Sequence, residues 1–124
     1  MTLLLDTHVF LWWRLDSRKL KRGARQAIAS ADLVFVSAAT VWEITIKRTL
    51  GRITIDEPLA ALIETSEFTA LSITIEHAER VGLLLPHHAD PFDRILVAQA
   101  LVEGATIVSH DERLRPYAVP IIWT

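Results

Sequence analysis

Leu3-Leu4-Leu5-Asp6, near the start of the chain, is the segment on which the fold prediction rests. An apolar run without polar alternation is typical of a strand buried on both faces, which in a small protein indicates the middle of a parallel sheet covered by helices. Asp6 then lies at the carboxyl end of that strand, where ligands bind in open α/β sheets. The alternative role for Asp6 is to cap the helix that follows, as aspartate commonly does.

The rest of the chain alternates between strand-like and helix-like patterns. We predict further strands over residues 33–37, 70–73, 105–109 and 119–123. We predict helices over residues 8–15, 40–50, 58–66, 75–85 and 91–102, and a solvated helical hairpin over residues 17–30. Strands that alternate with helices in this way indicate an α/β domain with a parallel sheet.

The composition indicates one domain, residues 1–124, with part of its surface covered. A chain of 124 residues is long enough for one hydrophobic core but not for two. Hydrophobic residues make up 51% of it, so we expect a partner or a second copy to cover some of the apolar surface. No apolar run approaches the roughly 18 residues of a membrane span, and the first residues lack the basic flank of a signal peptide. We therefore expect a cytoplasmic protein that does not contact membranes.

Charge and cysteine content exclude several classes of function. The 13 basic and 15 acidic residues give a formal charge of −2, so the chain is not a generally basic nucleic-acid binder. The absence of cysteine excludes disulfides and thiolate metal sites. His87 and His88 are adjacent, a spacing unsuited to a zinc site, and we interpret them as loop residues near the substrate.

Glu43 is the second informative acid. In the predicted helix it falls within an apolar stripe that contains Trp42, Ile46 and Leu50, rather than on the opposite side. A carboxylate buried without a partner costs several kcal/mol, so Glu43 must be paired or must bind a cation. Lys47, four residues later, offers an ordinary helical ion pair as the alternative.

The third acid, Asp93, follows a strong helix start. Asp90 suits the N-cap and Pro91 the first helical position. Asp93 then falls at the third position, where an acid is also favourable for purely structural reasons. The rest of this helix is almost uniformly apolar and therefore buried, so its first turn carries Asp93 into the interior. Asp111, the fourth acid, follows the predicted strand 105–109 and either joins a site or caps the short turn after it.

These four acids are expected to converge, because the carboxyl ends of parallel strands lie on one edge of the sheet. Carboxylates that close to one another cannot all ionise without a counter-charge. Oxygen ligands without cysteine suit Mg²⁺ or Mn²⁺. The predicted chemistry is hydrolysis of a phosphodiester by metal-activated water. A nucleophile elbow and a glycine-rich phosphate loop are both missing from the sequence.

Four segments of the chain resemble those of a known family in their order and spacing. They are Leu4-Leu5-Asp6-Thr7-His8, residues 37–43, Asp90-Pro91-Phe92-Asp93-Arg94 through Ala100, and Val108-Ser109-His110-Asp111. Through them the chain resembles the PIN-domain family, and in particular the ribonuclease toxins of VapC type from prokaryotic toxin–antitoxin pairs, over nearly its whole length. The resemblance implies a three-layer α/β/α sandwich with a central parallel sheet of four to five strands. It also implies Mg²⁺-dependent cleavage of RNA, without a covalent enzyme intermediate.

The resemblance also implies roles for individual residues. It assigns the metal and the catalysis to Asp6, Glu43, Asp93 and Asp111. Four more residues are implied near the metal or the substrate, namely Thr7, Asp90, Arg94 and Ser109. Asp90 either serves the site or caps its helix, Ser109 orients a carboxylate or a water, and Arg94 contacts phosphate or forms a salt bridge. Among the four acids, the resemblance implies that Asp6 and Asp93 are the foremost metal ligands.

Members of this family suggest three partners, which are RNA as substrate, a cognate antitoxin protein and a second copy of the chain in a homodimer. Two alternative functions stay open. A different metal-dependent phosphoesterase would use a similar cluster of acids. A catalytically silent PIN-fold domain would bind its partner without cutting it.

Overall fold

The computed structural model describes residues 1–124 and contains a five-stranded, fully parallel sheet in the order β3-β2-β1-β4-β5. The strands are β1 (Thr2–Leu5), β2 (Leu33–Ser37), β3 (Thr69–Leu71), β4 (Thr106–Ser109) and β5 (Ile121–Trp123). The helices are α1 (Thr7–Leu15), α2 (Arg22–Ser30), α3 (Ala38–Thr49), α4 (Leu59–Thr65), α5 (Ile75–Val81) and α6 (Pro91–Glu103). A short 3₁₀ turn covers Glu112–Leu114. The predicted α/β/α class, with a parallel sheet of four to five strands, is confirmed.

Strand β1 explains why the run of leucines predicts the centre of the sheet. Successive side chains of a strand point to opposite faces. Leu3 and Leu5 therefore enter one apolar cluster, which includes Phe10 of α1, while Leu4 enters the other, with Leu96 of α6. All three leucines are completely buried. The strand lies between β2 and β4, so its carboxyl end reaches the middle of the sheet edge.

Two helix predictions are wrong, and in each case tertiary hydrogen bonds explain the difference. The segment 17–30 holds one helix, α2, rather than a hairpin, because the backbone around residues 19–21 bonds to the Thr124 side chain instead. Asp16, in the left-handed region (φ 51°), has already ended α1. Helix α5 ends at Val81 rather than residue 85, because the carbonyls that follow accept from Arg94. The other predicted bounds lie within two residues of those observed.

The apolar face of helix α3, predicted to be buried together with Glu43, is instead exposed to solvent. Trp42, Ile46 and Leu50 are 61%, 37% and 60% exposed, and we call this surface the α3 stripe. Helix α3 instead packs against the rest of the protein through Ala39, Thr40 and Ile44, which are buried. None of the helices combines the length and apolar character that crossing a bilayer requires.

Candidate functional site

Asp6 is held at the junction of β1, α1 and β4. One of its carboxylate oxygens accepts from the Val9 amide at 2.8 Å and thereby caps α1. The other oxygen accepts from the Ser109 hydroxyl at 2.5 Å. Ser109 in turn accepts from the amide of Asp111 at 3.0 Å. Asp6 therefore caps its helix and also connects to the neighbouring strand, so the two interpretations of this acid are compatible.

The predicted acids converge on one polar pocket of about 200 Å³ at this edge of the sheet. No apolar residue lines it. The lining consists of Asp6, Thr7, His8, Glu43, Lys47, Asp90, Asp93, Asp111 and Arg113. The five carboxylates and two cationic side chains give the pocket a net charge of −3 when every acid is ionised. Glu43 and Asp90 lie far apart in sequence, and the fold alone brings them together.

Glu43 forms the ion pair with Lys47 that its sequence position allowed, and it also lines the pocket. Its side chain is only 13% exposed, and Lys47 Nζ lies 2.9 Å from Oε2. The buried Thr7 hydroxyl donates to Oε1 at 2.6 Å. The ion pair on one oxygen and the hydroxyl on the other fix the carboxylate at the pocket wall. Thr7, predicted near the metal or the substrate, therefore acts on Glu43.

Asp93 and Asp90 share the first turn of α6 but have different contacts. Asp90 Oδ1 accepts from the amides of Phe92 and Asp93, as an N-cap does. Asp93 Oδ2 lies 2.7 Å from His88 Nε2. Burial raises the pKa of Asp93, the His88 hydrogen bond opposes this, and the charge of Asp90 adds to the increase. Ligand atoms of His88, Asp90 and Asp93 lie within 4.8 Å of one another, close enough to share one metal ion.

Asp111 is the most strongly paired of the four acids. Arg113 donates to its carboxylate through Nε at 3.0 Å and Nη2 at 2.8 Å. The Arg113 hydrogen bond holds the pKa of Asp111 below its usual range. Its Oδ1 also accepts from the Arg113 amide and so caps the 3₁₀ turn. Asp111 therefore has both the site position and the capping role between which the sequence left the choice open.

The ionisation of Asp6 differs from that of Asp111. Burial raises the pKa of Asp6, because its carboxylate is almost completely removed from water. The Ser109 hydroxyl, the Val9 amide and the nearby imidazoles of His8 and His110 act in the opposite direction. Burial is the largest of these effects, so the ionised form of Asp6 lacks full compensation from the protein.

Comparisons with known proteins identify the family of the chain. The family model of the PIN domain matches residues 3–120. The chain belongs to the PIN domain family. It is 31% identical over 122 residues to Ribonuclease VapC22 of Mycobacterium tuberculosis, covering 96% of this chain and 94% of that protein.

Solved structures also share the fold of this PIN domain. VapBC2 from Rickettsia felis, bound to a DNA fragment from its promoter, aligns with a TM-score of 0.72 at 12% identity over 98% of each chain. A toxin–antitoxin complex from Klebsiella pneumoniae aligns with a TM-score of 0.66 at 18% identity, over 97% of this chain and 95% of that one. At these identities the likeness concerns the fold.

Arg94 of the PIN domain does not line the pocket, and it does not form the salt bridge that one interpretation expected. Its guanidinium donates to the carbonyls of Val81, Leu85 and His88 and to the Tyr117 hydroxyl, at 3.0 to 3.4 Å. These bonds occupy the donors that a phosphate would need, and Arg94 forms no salt bridge. Arg94 instead fastens the segment between α5 and α6 onto α6. The cationic residues at the pocket are Lys47 and Arg113.

His88 is predicted as a loop residue near the substrate, but the sequence patterns do not predict its contact with Asp93. Its side chain is 6% exposed, and besides contacting Asp93 it lies 4.0 Å from Asp111 Oδ2. An ionised carboxylate only accepts hydrogen bonds, so Nε2 is the protonated ring nitrogen when Asp93 is ionised. The sequence places His88 two residues before a helix start that contains Asp90 and Asp93. This proximity to two acids was the signal that could have indicated a role for His88 at the site. The orientation of the His88 side chain depends on the contacts of Arg94, which the spacing of residues in the sequence does not predict.

The pocket of this PIN domain fits a hard divalent cation. Its donors are carboxylate oxygens, the ligands that Mg²⁺ and Mn²⁺ prefer. Lys47 and Arg113 already neutralise Glu43 and Asp111, whereas burial raises the pKa of both Asp6 and Asp93. A cation would therefore interact most favourably with these last two acids. The catalytic and metal-binding roles of all four acids remain predictions.

Proposed function

We propose that this PIN domain is a metal-dependent endoribonuclease that hydrolyses RNA phosphodiester bonds. The observation that carries the proposal is the convergence of Asp6, Glu43, Asp93 and Asp111 on one pocket with a net charge of −3. The relative named as a ribonuclease, which matches nearly the whole chain, supports RNA as the substrate. The structural likeness to a toxin–antitoxin complex supports a role as the toxin of a type II pair.

The acids of the pocket would hold a cation, and its two cationic side chains would contact the substrate. Asp6 and Asp93 would hold Mg²⁺ or Mn²⁺, with Glu43 and Asp111 completing the acidic wall. When bound, the cation would supply Lewis-acid activation of a water and stabilisation of the charge that develops on the phosphate.

Three neighbouring side chains orient these acids. The Ser109 hydroxyl orients Asp6, the Thr7 hydroxyl orients Glu43 and the His88 ring orients Asp93. A carboxylate with a fixed partner loses less conformational freedom when it binds, and partners of this kind strengthen metal sites. Lys47 and Arg113 are the charged donors available to phosphate oxygens.

The reaction proceeds without a covalent enzyme intermediate. The chain has no cysteine. Two hydroxyls lie next to the acids. Ser109 is completely buried and donates to Asp6, and the buried Thr7 hydroxyl donates to Glu43, so neither is free to attack a phosphate. Water is therefore the nucleophile.

A cognate antitoxin and a second copy of the chain are the proposed protein partners. The α3 stripe exposes Trp42, Ile46 and Leu50 on one side of a helix, and Trp42 adjoins Glu43 of the pocket. Exposed apolar side chains that share a helix face are typical of a surface that another protein covers. We assign this stripe to the homodimer.

The proposal is tested by expressing the chain alone and mapping new RNA 5′ ends. We expect cleavage that requires Mg²⁺ and is abolished by EDTA. Asp93→Asn should abolish both cleavage and growth arrest, whereas Asp56→Asn, a matched change of an exposed acid, should preserve both. Release of phosphate from small monoesters without RNA cleavage would instead favour the general phosphoesterase. Growth arrest that survives Asp93→Asn would favour the catalytically silent binding domain.

A further inference from the structure

The charge of the acidic pocket creates a problem for RNA binding. Five carboxylates and two cationic side chains line it, and the whole chain carries a formal charge of −2. Proteins that bind nucleic acid mainly through phosphate contacts use an excess of lysine and arginine, which this pocket lacks. Lys47 and Arg113 are the cationic side chains at the pocket, so contacts to the bases would add to the affinity that these two residues and a bound cation provide.

Three aromatic side chains form a cluster beside the pocket, and we call it the His8–Trp12–His110 cluster. The Trp12 and His110 rings have their centroids 4.7 Å apart, and those of His8 and His110 are 5.3 Å apart. The His8 and Trp12 centroids are 6.0 Å apart. The interplanar angles of 40° to 82° mean that the rings do not stack in parallel on one another.

The position of the cluster ties it to the predicted reaction centre. His8 lines the pocket and follows Asp6 by two residues, and His110 lies between Ser109 and Asp111. Both imidazoles are close enough to Asp6 to influence its ionisation. A nucleotide whose phosphate lies at the acids would therefore bring its base within reach of the cluster.

The exposure of the three rings suits the binding of a ligand, because one ring is held by the protein and the other two are accessible to solvent. Trp12 is partly buried against the apolar cluster of Leu3 and Leu5, which fixes its ring, whereas His8 and His110 are exposed. The imidazoles of His8 and His110 form no hydrogen bond or salt bridge within the protein. Aromatic rings that are fixed in place before binding lose little entropy when a ligand stacks on them.

We propose that the His8–Trp12–His110 cluster is a nucleobase-stacking site for an unpaired base next to the scissile phosphate. Unpaired bases stack on aromatic side chains, including histidine, in proteins that recognise single-stranded RNA. The cluster would therefore select unpaired RNA, because the faces of bases in a duplex are already covered by their neighbours. This inference rests on the proposed RNA substrate and specifies how that substrate is held.

The inference is tested by measuring the Kd of the inactive Asp93→Asn protein for a short, mixed-sequence single-stranded RNA. Adding His110→Ala should raise the Kd about 5- to 140-fold, the range for the loss of one stacked base. Adding His110→Phe should keep the Kd near that of the parent, because phenylalanine retains an aromatic face. Duplex RNA of the same sequence should bind weakly to all of these proteins.

His87→Ala is the matched control, because His87 is an exposed histidine whose ring contacts Tyr117 and does not line the pocket. It should leave the Kd unchanged. Thermal unfolding of each variant establishes that the protein is folded. A second test uses RNA with abasic positions next to the cleavage site, which should bind the parent as weakly as intact RNA binds His110→Ala.

Several results would overturn the inference. One is a Kd that neither His8→Ala nor His110→Ala changes. Another is equal weakening by His110→Ala and His110→Phe, which would assign the effect to the imidazole itself. A third is a change in self-association with unchanged RNA affinity, which would make the cluster a protein contact.

The inference and the proposed function can fail separately. If the unsubstituted chain cuts RNA in Mg²⁺ while the Kd is insensitive to the cluster, the stacking site is overturned and the proposed function stands. If the Kd responds to the cluster as expected but the unsubstituted chain never cuts RNA, the stacking site stands and the proposed catalysis is overturned.

Discussion

His88 Nε2 lies 2.7 Å from Asp93 Oδ2 and joins the loop before α6 to the first turn of that helix. His88 is buried and does not line the pocket, and its Nε2 is occupied by Asp93, so in this arrangement the ring supports Asp93 rather than sharing a metal ion with it. The His88 carbonyl is in turn bound by Arg94, at 3.4 Å. Arg94, His88 and Asp93 therefore form a connected chain of contacts from the loop to the acid.

Replacing His88 tests whether this support matters for cation binding. We expect His88→Ala to weaken Mn²⁺ or Mg²⁺ binding about 10- to 100-fold, the range found when the partner of a metal ligand is removed. His88→Gln, whose amide nitrogen can approach the position of Nε2, should recover part of the affinity. Isothermal titration with each metal provides the measurement, with His87→Ala as the exposed control. Unchanged metal affinity in His88→Ala, with a folded protein, would assign His88 a purely structural role.

Arg94→Lys tests whether Arg94 holds the segment between α5 and α6 in place or contacts phosphate, as the sequence analysis suggested. Lysine cannot reproduce the fork of donors that reaches Val81, Leu85 and Tyr117. We expect a loss of about 1–3 kcal/mol in the free energy of unfolding, because partly buried carbonyls lose their donors. Denaturant titration measures this loss. A rise in KM for RNA with unchanged stability would instead show that Arg94 binds phosphate.

Much of the fold could be predicted because local sequence and tertiary structure agree. The leucine run before Asp6 is buried on both faces, and the Asp90-Pro91 helix start coincides with the N-terminus of α6. The topology of a parallel sheet then brings the acids to one edge, whatever the details of packing. For this reason the four acids could be placed in one pocket from the sequence.

The partners of those acids could not be predicted in the same way. His88 and Arg94 depend on the path of an irregular segment, which is fixed by side-chain to carbonyl hydrogen bonds. The exposure of Trp42 contradicts the usual link between apolar periodicity and the core. Periodicity identifies the apolar side of a helix, but it does not distinguish a side that packs on the chain's own core from one that a partner covers.

The α3 stripe yields a prediction about assembly. Ile46→Lys places a charge in the middle of the stripe, and a buried charge without a partner opposes association. We expect the variant to be monomeric at concentrations where the unsubstituted chain is a dimer, with little change in thermal stability of the monomer. Light scattering after size exclusion measures the mass. Thr45→Lys, at an exposed polar position on the same helix, is the control and should remain dimeric.

Cation binding should depend on pH through Asp6 and Asp93. Because the pKa of each is raised in the folded protein, more of each is protonated at mildly acidic pH than for an ordinary aspartate. A proton must leave before the carboxylate can bind a cation, so metal affinity should increase as the pH rises through these pKa values. Titrations in buffers with different ionisation enthalpies would detect the released protons. Metal affinity that is constant across this range would contradict the assignment of these two acids as ligands.

Asp6→Asn should stabilise the metal-free protein while abolishing cleavage. Since the folded-state pKa of Asp6 is raised, protonated Asp6 contributes stability at pH values below its unfolded pKa, and this contribution is lost as the pH rises through the folded pKa. The asparagine carbonyl can still accept from Val9, and its amide can donate to Ser109, so the substitution removes the charge with little change in packing.

We therefore expect the Tm of Asp6→Asn in EDTA to exceed that of the unsubstituted chain by about 2–5 °C at neutral pH, and the difference to shrink in acid. Added Mg²⁺ should raise the Tm of the unsubstituted chain, because a ligand that binds the folded state stabilises it, and should have little effect on Asp6→Asn. Differential scanning calorimetry at several pH values makes the comparison. A Tm difference that is independent of both pH and Mg²⁺ would mean that the stability of the protein does not depend on the buried charge of Asp6.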